Sequence, residues 1–206
     1  MRKWSGIICV ILGIFCLLGA LGLVIYNHWE AETAEETAQA MLEDVQLAIR
    51  EKSDAPTETT PHVTLPVMPE KVIPPMATIP VQGYDCIGVL SIPVLELELP
   101  VLTDWSYTKL QKAPCLYYGS YYEPDFVIAA HNFRSHFGRL PELMAGDRII
   151  FTNVNGEKYV YEVVLLETLP KEATLEMIAS GFDLSLYTCT PGGGSRVTVR
   201  CVAAGS

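Results

Sequence analysis

"SLYTCTPGGGSRVTVRCVA", from Ser185 to Ala203, is the stretch on which the fold turns. Two runs rich in apolar and β-branched residues flank a proline and three successive glycines, the pattern of two strands joined by a turn. The turn must be tight, and glycine permits the φ angles that tightness requires. Cys189 closes the first run and Arg196 opens the second. On adjacent antiparallel strands these two residues can face each other, and Arg200 projects from the same face because side chains alternate along a strand. A thiol at this place is a core residue, half of a disulfide, or a nucleophile. A nucleophile needs a base or a positive partner nearby, since a free thiol is only a few per cent thiolate at neutral pH. An arginine facing it can be an oxyanion donor or a surface residue paired with a carboxylate.

Upstream, the same kind of pattern recurs from Val81 onward. "YDCIGVLSIP" (84–93), "VLELELPVL" (94–102) and "FVIAAHN" (126–132) are short apolar or alternating runs. The Leu/Glu alternation over Leu95–Leu99 has the period of a half-buried strand. "GDRIIFTNVNGEKYVYEVVLLETL" (146–169) holds two strand-like runs about Asn153–Gly156, a hairpin signal. "KEATLEMIAS" (171–180) reads as a helix of two to three turns ended by Gly181. Residues 81–206 are therefore expected to form a mostly β domain, an all-β barrel or sandwich with a few helical turns.

The N-terminal third is of another kind. No Asp, Glu, Lys or Arg occurs from Trp4 to His28. Ile7–Tyr26 is long enough to span a bilayer core, which needs about 20 apolar residues, and too long for the ~7–15-residue apolar region of a cleaved signal peptide. Arg2 and Lys3 precede it and Glu30, Glu32, Glu35 and Glu36 follow. The positive-inside bias keeps the N-terminus cytoplasmic and sends the rest outside. Residues 1–28 thus read as a cytoplasmic N-terminus and single-pass anchor. In 29–52, Ala31, Ala34, Ala38, Met41, Leu42, Val45 and Ile49 recur at helical steps, a stalk helix or the seam of a coiled-coil dimer. Residues 53–80 carry seven of the fourteen prolines and read as an extended spacer that lifts the domain off the membrane.

The net charge of −10 argues against nucleic-acid binding, which needs clustered basic residues. With no C-x-x-C pair, a zinc cage is not expected, and no cofactor is called for. Cys9 and Cys16 lie in the apolar span. Cys86, Cys115, Cys189 and Cys201 lie beyond it, where disulfides are allowed, and Cys86 with Cys201 is one possible pair. Cys115 falls in a loop by this reading. Of the histidines, His62 sits among the prolines, His136 in a loop, and His131 at the end of an apolar strand, where side chains face a cleft. The aromatics Tyr117, Tyr118, Tyr121 and Tyr122 edge a groove or pack the barrel.

Taken in order, these pieces resemble the sortase family of membrane-anchored cysteine transpeptidases, over about Gly83 to Ala203, and the resemblance implies that family's closed β-barrel of about eight strands with a few short helices. "IGVLSIPVLELELPV" is similar to the family's opening strand pair, "LQKAPCLYYGS" to the helix and loop after it, and "FGRLPELMAGDRIIF" to its segment with a Gly-Asp turn. "VIAAHN" resembles the strand ending at the family's histidine, "SLYTC" its Thr-Leu-x-Thr-Cys signature with Ser185 for the first threonine, and "RVTVRC" the final strand opened by its arginine. The resemblance implies that Cys189 is the nucleophile, His131 the general acid/base and Arg196 the oxyanion and substrate stabiliser, with Arg200 as the other arginine candidate. It implies a sorting-signal peptide of secreted surface proteins as substrate, a thioester on Cys189, and an amine of a cell-wall precursor peptide or a pilin lysine as acceptor. The seven-residue step from Cys189 to Arg196 is shorter than in most members. A thiol hydrolase on the same scaffold and a silent surface-binding module are the alternatives. An L,D-transpeptidase is excluded, because Tyr187–Thr188, not a His-Gly pair, precedes Cys189.

Overall fold

In the computed structural model, residues 2–54 and 73–205 are described, with side chains from residue 9 in the first segment and up to Lys52. One helix, α1 (Arg2–Asp54), is followed by nine strands: β1 (Ile79–Val81), β2 (Tyr84–Ile92), β3 (Leu97–Leu102), β4 (Cys115–Tyr118), β5 (Phe126–Ala129), β6 (Arg148–Asn153), β7 (Lys158–Pro170), β8 (Leu184–Cys189) and β9 (Ser195–Ala203). Two short helices, α2 (Tyr107–Leu110) and α3 (Thr174–Ile178), lie in the β3–β4 and β7–β8 connections.

The sheet order β2-β3-β4-β5-β8-β9-β7-β6 returns to β2 through a β2–β6 pairing, so eight strands close a barrel and β1 hangs on β2 as a hairpin. Closure removes free edges that would otherwise invite pairing with other chains. Most contacts are antiparallel, but β5 pairs β8 in parallel, and β3 pairs β4 in parallel at one position. The parallel β5–β8 pair is the step that brings distant segments together. Inward residues of every strand fill one core, including Ile87, Leu90, Phe126, Ile128, Phe151, Val163, Leu186 and Val199, all buried.

Local signals mostly place the elements where the sequence puts them. The Asn153–Gly156 turn joins β6 to β7, with Gly156 at φ 83° and the Asn153 side-chain oxygen accepting from the amides of Asn155 and Glu157. The Leu/Glu alternation is a strand only from Leu97: Pro93–Leu95 form a 3-10 turn, and Glu96 takes a left-handed conformation at φ 53°. The expected helix at 171–180 shrinks to the single turn of α3, since Ala173 offers no side-chain cap. Cys115 opens β4 and is not a loop residue, because it pairs with both Leu102 and Ala129.

The expected stalk face has a different fate. α1 runs without a break from the apolar span into the segment whose Ala34, Ala38, Met41 and Val45 are buried against the barrel of the same chain. Met41 and Val45 form a second core with Val81, Cys86, Val89, Leu102, Ala113 and Cys115. Gln46 donates to Glu98, and Gln82 donates to Asp44. A face consumed in this way is not available for the coiled-coil seam. The expected spacer over 53–80, with His62, falls mostly outside the described residues; of it, residues 73–78 are irregular and Ile79 and Pro80 belong to β1. The barrel is held along α1 itself. Comparable burial of a Met and a Val elsewhere stabilises by about 1.5–3 kcal/mol per side chain.

All six cysteines are free thiols. Cys86 and Cys201 do not pair: they belong to the two different cores. Burial pushes the thiols of Cys86, Cys115 and Cys201 up to about 12, so they act as small apolar residues.

Candidate active site

Strand alternation sorts β8 into two faces. Leu184, Leu186 and Thr188 are buried, the two leucines in the barrel core, while Tyr187 and Cys189 are only half-buried on the other face. On β9, Arg196 is the cross-strand partner of Cys189, Thr198 of Tyr187, and Arg200 of Ser185. The turn between them is latched by its own bonds. Thr190 N–H donates to Ser195 O, Gly193 N–H donates to Thr190 O, and Gly192 and Gly193 take φ of 84° and 74°. The short step from 189 to 196 is thus satisfied by two glycines in a conformation other residues resist.

The parallel partner supplies the histidine. β5 runs beside β8 with Ala129 opposite Tyr187, Ala130 N–H donates to Tyr187 O, and buried Thr188 Oγ1 donates to Ala130 O at 2.9 Å. β5 ends at Ala129, opposite Tyr187, and past Ala130 the chain reaches His131. The loop after it is folded tightly: Phe137 N–H donates to His131 O, and a Cβ on Gly138 would lie 2.4 Å from Asn132 O and 2.8 Å from Phe133 O. Only glycine lets the backbone come that close. The His131 ring stacks on Phe133 with centroids 4.8 Å apart.

The two arginines separate cleanly. Arg200 is 2% exposed and its donors are engaged by Glu167 Oε1 (2.7 Å), Ser185 Oγ (2.8 Å), Glu176 O (2.6 Å) and Met177 O. It ties the β7–β8 connection to the barrel, and the hydroxyl at 185 is one of its acceptors. Arg196 is half-buried at the rim. Its Nη1 donates to Gly193 O and Ser195 O, and its other donors make no hydrogen bond among the described residues. Arg196, Tyr117, Tyr187 and the segment Pro170–Met177 line a shallow cleft. Tyr117 and Tyr187 meet edge to face at 5.1 Å. Burial raises the Tyr187 hydroxyl well above its ordinary range, against the pull of the Arg196 charge, so it stays a neutral phenol.

Of the tyrosine run, Tyr117 flanks the cleft, Tyr118 is exposed, and Tyr121 packs into the core against Phe126 and Phe151. Sequence reading passed over three participants. Thr188 was visible only as a letter of the signature; its hydroxyl bond needs the parallel strand to be known. Glu30 of α1 accepts a hydrogen bond from Gln111 at 2.9 Å and its charge reaches His131. Burial pulls the His131 imidazole below its ordinary value, and Glu30 pushes the other way. His136 is fully buried, its ring nitrogens unpartnered among the described residues, and burial, with the nearby His131 charge, lowers it to about 4. No group of three or more metal-ligating side chains gathers among the described residues.

Comparison with known proteins agrees with this fold. The family model for the Sortase domain matches residues 90–206, more than half of the chain, and the chain belongs to the sortase family. Among solved structures it is similar to sortase C1 from Streptococcus agalactiae, with 27% identity and a TM-score of 0.52 over 59% of this chain and 68% of that one. Sortase A from Corynebacterium diphtheriae matches with 23% identity and a TM-score of 0.54; this chain spans 60% of its own length and 62% of that protein's in the match. A Clostridium perfringens Sortase D5 transpeptidase has the same fold at 15% identity, TM-score 0.56, over 84% of this chain and 99% of that one. That share of this chain is larger than the barrel residues alone supply. Comparison with curated protein sequences gives no significant match. Family and fold support a transpeptidase function in general, and α1, with an exposed apolar segment long enough to cross a bilayer, fits a membrane-anchored sortase.

Proposed function

We propose that this protein is a cysteine transpeptidase that cleaves a sorting-signal peptide through a thioester on Cys189 and passes the acyl group to an amine. The pairing of Cys189 with Arg196 across β8–β9, with β8 beside the strand that ends two residues before His131, is the observation that carries this reading. Cys189 thiolate attacks the scissile carbonyl carbon, and the tetrahedral oxyanion is held by the free donors of Arg196. Such preorganised donors contribute several kcal/mol of transition-state stabilisation. As the C–N bond breaks, His131 gives a proton to the leaving amine. An incoming amine then attacks the thioester, returns a proton to His131, and expels the thiolate. The acceptor is an amine of a cell-wall precursor peptide or a pilin lysine. The anchor crosses once, with Arg2 and Lys3 on the cytoplasmic side and the barrel outside the cell.

The test is incubation of the full chain in lipid nanodiscs with a library of sorting peptides, with and without oligoglycine, followed by mass spectrometry. Ligated peptide and a trapped acyl adduct at Cys189 are expected. Cleavage without ligation would make the protein a thiol hydrolase. Turnover by Cys189→Ala at the native rate would remove the nucleophile.

A further inference from the structure

The bilayer end of α1 and the barrel meet at one place. Tyr26, Trp29 and Glu30, the last residues of the span and the first beyond it, line a groove of about 250 Å³ with Thr108, Gln111 and Lys112 around α2. Glu30 is fastened there by Gln111. From this point α1 follows the barrel away from the membrane. Ile49 approaches the β6–β7 turn at Gly156, nineteen residues on, about 28 Å along a helix. The barrel therefore has a near end, at α2, and a far end, at the β6–β7 turn.

The depth of the near end follows from the helix rise. Residue 30 lies four residues past the end of the apolar run, about 6 Å. The polar layer on each side of the hydrocarbon is about 5–8 Å deep. Whatever packs beside Glu30 is thus at headgroup level. The side chains there suit that layer. Trp105 and Tyr107 meet edge to face at 5.9 Å and remain 43% and 78% exposed, in a domain that buries Phe126, Phe137 and Phe151 completely. Tyr26 and Trp29, which share the groove with Thr108 of α2, are 57% and 63% exposed. Trp and Tyr belong at membrane interfaces, one end apolar and the other hydrogen-bonding. Charge is mixed here: Lys112 shares the groove with Glu30 and Lys109 pairs with Asp104, so attraction to anionic lipid is not the basis.

We propose that the α2 end of the barrel, led by Trp105 and Tyr107, rests in the headgroup layer of the bilayer that α1 spans. The proposal rests on reading Ile7–Tyr26 as a membrane anchor and does not depend on the catalytic assignment. It brings the cleft to the lipid surface: Trp105 lies 5.7 Å from Tyr117, and Tyr117 lies 5.1 Å from Tyr187, two residues before Cys189. A polypeptide still held in the same bilayer reaches this cleft without leaving the surface.

The experiment reads Trp105 in the full chain. Trp4→Phe and Trp29→Phe leave it as the sole tryptophan, and the chain is reconstituted into neutral phosphatidylcholine vesicles carrying bromine on the upper acyl carbons. Quenching of at least half the Trp105 emission relative to unbrominated vesicles is expected, with weak quenching by aqueous iodide. Full iodide quenching with no effect of bromine would overturn the proposal. On the unaltered chain, a photoreactive lipid with its diazirine near the headgroup should label peptides spanning 104–118. Labelling confined to residues 1–29 would also overturn it. Failure of the chain to enter vesicles would count against the anchor itself, and the proposal would fall with it. Loss of peptide ligation in these samples bears only on the catalytic reading.

Discussion

At the scale of single residues, the two arginines of β9 give the clearest contrast, because one strand presents both on one face and the surroundings divide them. Arg196→Ala should leave thermal unfolding unchanged and reduce kcat/KM of ligation by about 10²–10³, the usual cost of losing an oxyanion donor. Arg200→Ala should do the reverse first: it removes the partner of the buried Ser185 hydroxyl and should cost about 1–3 kcal/mol in denaturant unfolding, the range for a buried polar group left unpaired. Histidine chemistry separates in the same way. Glu30→Gln should lower the His131 pKa, read from the imidazole Cε1–H shift by NMR, because the carboxylate that favours the charged ring is gone while burial remains. His136 makes a stability prediction. Its folded value of about 4 lies below the unfolded value near 6.5, so between those pH values the unfolded chain binds the extra proton. Stability present above about pH 6.5 is therefore lost as pH falls toward 4, by about 3 kcal/mol from this ring alone. His136→Phe should flatten that limb in urea titrations run from pH 7 to pH 4.

At the scale of elements, α1 carries the main lesson. The three- and four-residue steps of Ala34, Ala38, Met41 and Val45 were legible, since helix periodicity is local. The partner of that face was not, since a periodic stripe does not say what covers it. Met41→Ala should cost about 2–5 kcal/mol, as for a truncated core side chain, and the same loss measured with and without lipid would show that α1 belongs to the barrel's cooperative unit. The hairpins around Asn153–Gly156 and Gly192–Gly194 were readable because their turns are set by nearby residues. The parallel β5–β8 pair was not derivable from spacing, as it joins segments 58 residues apart. Within that pair Ala129 stands opposite Tyr187, two residues before His131 and Cys189 respectively, so from residues alone Cys189 and Arg196 could be placed together but His131 could only be suspected. The helix expected at 171–180 fails for a local reason: with no capping side chain at Ala173, the segment spends its carbonyls on Arg200.

At the scale of the whole molecule, composition separates an apolar N-terminal run from a β-rich remainder, and the structure has an exposed apolar helical segment and a β-barrel in those places. It does not show that the helix before the proline-rich segment also packs on the barrel. That helix passes from the exposed apolar run to the buried Ala34–Val45 face with no interruption in its backbone. An unbroken helix transmits rotation as well as position. Each residue contributes about 100° of turn and 1.5 Å of rise. One alanine inserted between Asn27 and His28 would swing the barrel by roughly a quarter-turn relative to the anchor, whereas seven would nearly restore its azimuth and raise it by about 10 Å. The cleft thus has a compass bearing as well as an altitude over the lipid, both written into the spacing between two stretches of one helix.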